Sequence, residues 1–392
     1  MSPSLHEMSA HHSVCTIVNR NYPPDPGVTG HAAAELASFL TAHGIGVTAV
    51  SVAGRYAGGV TGGDGGSDVA RVRVPAIYDG KRALPRLAAS LIEGRSLSRG
   101  LRDGVVIGMT DPPLLNWWLA RHCAKRGLPW ICWSMDLYPD AFASAGLVSR
   151  GHPLFRRIRD TLRRCRPDHL IALGAAQADF LREALGWDMP YTILPCGIHD
   201  EPRGTEPPIW HPGPGKTVLG YLGNIGQAHD PRFVRAVMRA LDPDHHLLLL
   251  SPYGIHARGL LEEAARHPAV RVVGNLQRGD LGWIDVHLVS LLPQWDHVCV
   301  PSKAVSAVCS GSAILACMSD RNDNWRMLGR AGWRIDPGAD LDAALRQWAA
   351  SLTSDAVAAR KREAVVLKRE LWALRDQSFA DIRDVVLNLS SR

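Results

Sequence analysis

The sequence predicts an α/β protein made of two doubly wound parallel-sheet domains that face each other across a cleft. Short apolar runs typical of buried strands alternate with helical stretches through the first half of the chain. The alternation breaks at 199–216, where proline, glycine and charge crowd together, and then restarts. The chain has 392 residues, too many for one hydrophobic core. We expect an N-terminal domain at 1–205, a C-terminal domain at 206–365, and a helix at 366–392 that packs back on the N-terminal domain.

The predicted elements follow in a regular order. In the first half, strands are expected at 12–20, 45–53, 104–110, 128–136, 168–174 and 191–197, with helices at 31–44 and 114–127. The first helix should end at Gly44, which we expect to be its C-cap. After the break, strands are expected at 217–224, 245–252, 270–275 and 286–293, and the tail from about 340 to 392 reads as helical.

Composition limits the function classes. The formal charge of +6 suits anionic substrates or a membrane surface, but it is too small to indicate nucleic acid, and we expect no nucleic-acid partner. The eight cysteines form no C-x-x-C pair, which favours reduced thiols and a cytoplasmic location, either free or at the inner face of the membrane. The first residues lack the apolar core of a secretory signal, and no apolar run is long enough to span a bilayer.

Ligands of doubly wound sheets bind at the carboxyl ends of the strands, so the loops there are the candidate sites. In the loop at 21–31, Gly27 and Gly30 let the backbone approach a ligand, and Thr29 can cap a helix that starts near His31. Exposed N–H groups at that helix start would bind an anion. A plain strand-to-helix turn explains the same residues equally well.

A second loop, at 220–230, follows the first strand of the C-terminal domain. Gly223 and Gly226 permit close backbone approach, and Asn224 offers an amide. The spacing is G-x-x-G, and the next strand ends in "LLLLSPYG" without an acid. A nicotinamide site needs G-x-G-x-x-G and an acid at that strand end, so such an enzyme is disfavoured.

A lysine opens an otherwise small and apolar stretch, "VPSKAVSAVCSGSAILA" at 300–316. If Ser302 is the N-cap of a helix, Lys303 and the helix dipole point at one place, an arrangement that suits a diphosphate. The alternative is that the Lys303 amine reaches solvent from an ordinary helix start.

An acid follows a buried strand in "WSMDLYPD" at 133–140. Asp136 would open toward the cleft, where it could serve a substrate hydroxyl or developing charge. The alternative role is a helix N-cap or a hydrogen-bond acceptor within the loop.

Taken together, these loops resemble bacterial glycosyltransferases of the GT-B fold, and most closely glycosyltransferase family 4 in its surface-polysaccharide branch. The likeness covers about residues 13–335. Besides the first strand–loop–helix–strand, it is carried by "TDPPLL" (110–115), "DLYPD" (136–140), "ILPCGI" (193–198), "YLGNIG" (221–226) and the stretch at 300–316.

The resemblance implies a nucleotide-sugar donor held mainly by the C-terminal domain, an acceptor held mainly by the N-terminal domain, and retention of configuration with no cofactor and no obligatory metal. By position, it implies that Gly27, Thr29 and Gly30 form the loop over the donor, and that Gly223, Asn224 and Gly226 border the diphosphate. Pro301, Ser302 and Lys303 would form the helix start on the phosphate side. Asp136 would reach the reaction centre or the acceptor.

The sequence departs from the family pattern at the donor site. Many members carry two glutamates seven residues apart, the second of which contacts the nucleotide ribose; the corresponding positions here are Val298 and Ser306. Serine can still hydrogen-bond a ribose hydroxyl, without charge assistance. The arginine–lysine pair common after the glycine loop is also absent, which leaves Lys303 as the main cation.

An arginine-rich segment at 150–167 has two interpretations. Leu154, Ile158, Leu162 and Cys165 recur at helical spacing on one side, and arginines fill the rest. The segment could meet anionic lipid and so suit a lipid-linked acceptor. A solvated helix face accounts for the same pattern.

The sequence thus predicts a glycosyltransferase that moves a sugar from a nucleotide donor to a hydroxyl of a glycan, lipid-linked or small-molecule acceptor. Asp136 and Lys303 are the predicted catalytic residues. Surface-polysaccharide or lipid-linked glycan assembly is the leading context. Glycosylation of a secondary metabolite and a non-catalytic sugar-nucleotide-binding protein are the alternatives.

Overall fold

The structure, a computed structural model, describes residues 14–25, 27–53, 69–78, 83–274 and 276–392.

Within these residues, the first sheet has seven parallel strands. Its first strands and helices are β1 (Val14–Val18), α1 (Val28–Ala42), β2 (Gly46–Ala53), β3 (Ala70–Pro75), α2 (Ala83–Arg99), β4 (Val105–Gly108), α3 (Leu115–Arg126), β5 (Trp130–Trp133), α4 (Asp140–Ser144), α5 (Pro153–Arg164), β6 (His169–Ala172), α6 (Ala175–Leu185) and β7 (Tyr191–Ile193). The strand order is β3-β2-β1-β4-β5-β6-β7.

The second sheet has six strands, again all parallel. Its elements are β8 (Thr217–Asn224), α7 (Pro231–Ala240), β9 (His246–Tyr253), α8 (Ala257–Ala264), β10 (Val270–Val272), β11 (Val286–Ser290), α9 (Ser302–Cys309), β12 (Ala313–Cys317), α10 (Asp323–Leu328), β13 (Gly332–Ile335), α11 (Leu341–Ala350) and α12 (Ser354–Ser390). The order is β10-β9-β8-β11-β12-β13. The predicted pair of doubly wound parallel sheets is confirmed.

In each sheet, successive strands are added first on one side of a central strand and then on the other. In the first sheet β1 lies between β2 and β4, and in the second β8 lies between β9 and β11. Strands buried on both faces read as continuous apolar runs, and β4, β5 and β12 are buried throughout. Ligands of such sheets bind at these switch points, beyond the carboxyl ends of the strands.

The last helix joins the two domains. At one end of α12, Lys361 pairs with Asp285 beside the second sheet at 2.7 Å. At the other end, the Ser378 hydroxyl donates to the Ile193 carbonyl of β7 at 2.7 Å, and Phe379 packs in the core of the first sheet. The helix runs without a break through the predicted boundary at 365–366. The domain limits stay predictions.

Direct contacts also hold the domains together near the cleft. The backbone N–H of Leu137 donates to the carbonyl of Val298 at 2.9 Å. The Asp323 carboxylate, at the start of α10, accepts from the N–H groups of Ala176 and Gln177 in α6, at 2.8 and 2.9 Å. The carboxylate therefore caps a helix that belongs to the other domain.

The arginine-rich helix α5 differs from its sequence pattern at one position. Ile158 and Leu162 are buried, as the spacing predicts, but the stripe begins at Phe155. Leu154 shares the spacing of that side but is 57% exposed. Leu154 is only the second residue of the helix, ahead of the turn that packs on the core.

All eight cysteines are free. Within the described ranges, no helix combines the length and the apolar character needed to cross a membrane.

Candidate functional site

A cavity of about 420 Å³ lies between the two sheets, at the carboxyl ends of their strands. This volume is in the range of small-molecule sites. Eight of the residues singled out from the sequence line it: Thr29, Asp136, Gly223, Asn224, Pro301, Ser302, Lys303 and Ser306. Gly27, Gly30 and Gly226 are not among its lining residues.

Lys303 faces the cleft and not bulk solvent. Its Nζ donates to the Asn224 carbonyl and to the Tyr221 hydroxyl, at 2.5 and 3.3 Å, and lies 4.5 Å from the centre of the Tyr221 ring. Burial lowers the pKa of the Lys303 amine to about 7. Because none of these partners is an acid, an anion that entered the cleft would favour the charged ammonium.

The start of α9 is built differently from the prediction. Pro301, and not Ser302, is the N-cap residue, and no side chain caps the helix. Pro301 already holds an extended backbone, and its carbonyl accepts from the Asn324 side chain at 2.8 Å. Ser302 is therefore the first helical residue. The first-turn N–H groups have no acceptor within the helix, and they start beside the cleft.

The glycine loop after β8 meets the lysine directly. Gly223 has φ +88, and a Cβ there would stand 3.3 Å from Cε of Lys303, so glycine permits both the turn and the close approach. Gly226 has another role, because a Cβ there would meet the Asn224 side chain at 3.1 Å. Glycine at position 226 therefore leaves room for the Asn224 side chain.

The loop after β1 corrects a second capping prediction. Helix α1 begins at Val28, with Gly27 as its N-cap residue, so Thr29 lies in the first turn and does not cap the helix. The Thr29 hydroxyl instead accepts from the Asn19 amide at 3.3 Å. Gly30 lies against the backbone of Asn21, where a Cβ would approach within 3.1 Å. Of the predicted donor-loop residues, Thr29 alone lines the cavity.

Asp136 lies across the cleft on the N-terminal domain, three residues beyond the end of β5. Part of the residue is exposed, but the cleft walls surround its carboxyl group. This burial raises the pKa of the Asp136 carboxyl, while a hydrogen bond with the Cys299 thiol lowers it. Asp136 is the one carboxylate among the cavity-lining residues, and Lys303 is the one lysine or arginine there.

Ser306 is already engaged where the resemblance suggests a ribose contact. Its hydroxyl donates to the Gly197 carbonyl at 3.0 Å, and its own carbonyl lies 3.1 Å from Nε2 of His199. The serine thus joins α9 to the segment that follows β7. Ser306 lines the cavity, and its hydroxyl oxygen can still accept a hydrogen bond.

Sequence reasoning missed His229, which also lines the cavity. Burial and then the nearby Lys303 charge lower the pKa of His229 to about 3, so the ring is neutral at pH 7. Its Nδ1 accepts from the Gly226 N–H at 3.3 Å, which leaves Nε2–H as a donor. The signal was present, because His229 lies within the same loop at 220–230.

The described residues contain no group of three or more histidine, cysteine, aspartate or glutamate side chains that could hold a metal ion. The cleft instead offers an ammonium, a helix start and a neutral histidine on one wall, opposite a carboxylate on the other. The first wall is suited to a phosphate-bearing ligand.

Comparison with solved structures identifies the fold. No protein-family model matches the chain. Sucrose-phosphate synthase from Thermosynechococcus elongatus superposes with a TM-score of 0.69 at 12% identity, over 96% of this chain and 100% of the other. WaaG, a glycosyltransferase involved in lipopolysaccharide biosynthesis, gives 0.65 at 15% identity, over 93% and 98%.

The chain has the GT-B fold. A third GT-B structure, Anabaena HepE in complex with UDP-glucose, gives a TM-score of 0.62 at 11% identity, over 95% of this chain and 100% of the other. In sequence, the chain is similar to a probable glycosyltransferase, WbjE, of Pseudomonas aeruginosa, at 23% identity over 272 residues and 64% of this chain. The match spans 66% of that relative's length, just under two thirds.

Proposed function

We propose that this GT-B protein transfers a sugar from a nucleotide-diphosphate donor to an acceptor hydroxyl. One observation carries the proposal: the Lys303 amine is held inside the interdomain cavity, beside the start of α9 and opposite Asp136. The UDP-glucose bound by HepE supports a nucleotide sugar as the donor class.

The leaving group is the first chemical requirement of this reaction. As the bond from sugar to diphosphate breaks, negative charge grows on the phosphate oxygens and must be stabilised. Lys303 and the free N–H groups of α9 would supply that stabilisation, with the His229 Nε2–H as a further donor. The cleft walls reduce competition from water.

Asp136 would act on the acceptor hydroxyl or on the sugar at the reaction centre. A carboxylate there can take the proton of an attacking hydroxyl or stabilise an oxocarbenium-like sugar. The proposed outcome is retention of configuration, in line with the family resemblance. The proposed context is surface-polysaccharide or lipid-linked glycan assembly, which the likeness to WaaG supports, and the proposed site of action is cytoplasmic.

The test compares two lysine variants. Lys303→Ala should lower sugar transfer by about 10²-fold or more, because it removes the main counter-charge of the leaving group. The matched control is Lys216→Ala, since Lys216 is exposed and donates to the carbonyl of Pro243 in a turn. A panel of nucleoside diphosphates, screened by thermal shift, identifies the base first.

Each outcome decides between functions. Slow donor hydrolysis without acceptor, lost in Lys303→Ala and kept in Lys216→Ala, supports the transferase. Nucleotide binding with no hydrolysis and no transfer indicates a non-catalytic sugar-nucleotide-binding protein. Near-normal turnover of Lys303→Ala with the true donor contradicts the assignment.

A further inference from the structure

A second cavity lies outside the cleft, on the N-terminal domain. It has a volume of about 450 Å³ and lies between α2, α3, α4 and α5. Most of its wall is apolar, from Leu114, Phe142, Leu147, Leu154, Phe155 and Ile158. An apolar pocket of this size can take a hydrocarbon group.

The mouth of this apolar pocket carries apolar side chains that face solvent. Leu147 is 65% exposed and Leu154 is 57% exposed, and Leu91, which also lines the pocket, is 37% exposed. Scattered exposed leucines are ordinary, but three around one apolar opening form a patch that marks an interaction site.

Helix α5, which forms one side of this pocket, is rich in arginine. Of the five arginines in α5, Arg159 pairs with Asp140 and Arg163 with Asp160. Within the described part of the chain, no ion pair is found for Arg156, Arg157 or Arg164, and all three are exposed. The helix therefore presents uncompensated positive charge.

One of these arginines lies at the pocket rim. A Cβ at Gly151 would stand 3.6 Å from the Ser149 hydroxyl and 3.9 Å from a guanidinium nitrogen of Arg156. Ser149 and His152 line the pocket on either side of that glycine. The Arg156 charge is thus next to the polar edge of an apolar cavity.

The pocket also lies close to the proposed reaction centre. Pro139 lines it, three residues after Asp136, and Leu114 follows β4. Both lie at the carboxyl-end edge of the first sheet, the same edge that opens to the cleft.

We propose that this pocket binds the hydrocarbon chain of a phosphate-bearing lipid, with the α5 arginines against the anionic headgroups. The apolar wall and exposed leucines account for the chain, and the uncompensated arginines account for the charge. An uncharged apolar ligand would leave the arginines without a role. The proposal concerns binding, and it holds whether or not the transfer reaction does.

The first experiment measures binding of the full chain to vesicles. Co-flotation with phosphatidylcholine vesicles containing about a third phosphatidylglycerol should exceed that with pure phosphatidylcholine, by about fivefold for each arginine engaged. The double variant Leu147→Glu with Leu154→Glu should lower binding by about tenfold or more, since two apolar anchors are lost. Both positions are exposed, so the fold should survive, and thermal unfolding checks this.

Two control variants show whether a loss of vesicle binding comes from the pocket or from another change in the protein. Ile209→Glu changes a fully exposed apolar residue in the interdomain segment and should leave flotation unchanged. Lys303→Ala should also bind normally, so a failure of the proposed transfer reaction is distinguishable from a failure here. If the double leucine variant still binds the vesicles, the pocket does not bind a hydrocarbon chain. Surface charge alone would then account for the binding.

The second experiment uses a soluble probe. Decyl phosphate below its micellar concentration should raise the melting temperature of the wild-type protein, while inorganic phosphate at the same concentration should not. The double leucine variant should lose the shift. An equal shift with inorganic phosphate, or no shift with decyl phosphate, would contradict a hydrocarbon site.

Discussion

The thiol of Cys299 in the C-terminal domain forms a hydrogen bond with the carboxylate of Asp136 in the N-terminal domain. Beside it, the Leu137 N–H bonds the Val298 carbonyl at 2.9 Å. The cleft carboxylate is therefore tied to the opposite wall through its own side chain and its neighbour's backbone. Its protonation should depend on the contact between the domains.

We expect Cys299→Ala to move the acidic limb of the transfer–pH profile to higher pH. The hydrogen bond lowers the pKa of Asp136, so removing it raises that pKa, and the ionised form is lost earlier as pH falls. Cys299→Ser should keep the limb in place, because a hydroxyl also donates. Steady-state kcat between pH 4 and about 8 is the measurement. An identical shift in both variants would contradict this role.

The sequence predicts much of this site because doubly wound sheets place every strand-end loop at one edge. Asp136, Gly223 and Lys303 were found from that rule and the order of their motifs. Cys299 was not, since its partner is 163 positions away and the contact depends on how the domains face each other. The capping errors at Thr29 and Ser302 have a local cause: Gly27 and Pro301 already provide the turn into each helix.

Three strands were missed for separate reasons. Strand β3 alternates arginine with valine and is only half-buried, so it lacks the apolar run of the other strands. Strand β12 follows α9 after three residues, and the small apolar residues of both merge into one apparent helix. Strand β13 has only four residues and lies just before the helical tail, and its pairing with β12 decides its structure.

A second prediction concerns the cap that crosses between domains. Asp323→Ala should lower the free energy of unfolding by about 1–3 kcal/mol, because the Ala176 and Gln177 N–H groups lose their acceptor in a buried site. Amide exchange at the start of α6 should accelerate. Urea unfolding and hydrogen exchange provide the measurements, and a change confined to α10 would count against the cap.

Gly174→Ala gives the complementary variant. A Cβ at Gly174 would fall 2.2 Å from the Asp323 carboxyl carbon, so the alanine must displace the carboxylate. Since both substitutions break the same contact, the double variant should be clearly less destabilised than the sum of the two. Full additivity would show that the two residues act independently.

A buried ion pair supports the loop after β1. Arg20 and Glu93 meet at 2.9 Å, and their side chains are 9% and 1% exposed. Glu93→Ala should cost about 3–5 kcal/mol of stability, because it breaks a buried ion pair by removing one partner. The exposed pair Arg258–Glu262 is the control, where Glu262→Ala should cost under about 1 kcal/mol by urea unfolding. Similar small losses in both would contradict the prediction.

The last prediction follows from the pKa of Lys303, which burial lowers to about 7. Above that pH the amine is mostly neutral, and binding a diphosphate must first take up a proton. Affinity for the nucleoside diphosphate should therefore fall about tenfold or more between pH 7.5 and about 9, where the phosphates themselves are already ionised. Lys303→Arg stays charged throughout and should show a nearly flat profile. Calorimetry in buffers of different ionisation enthalpy measures the proton uptake directly: uptake near pH 8 in the wild type, absent in the arginine variant, is the expected result, and equal pH profiles for the two proteins would contradict it.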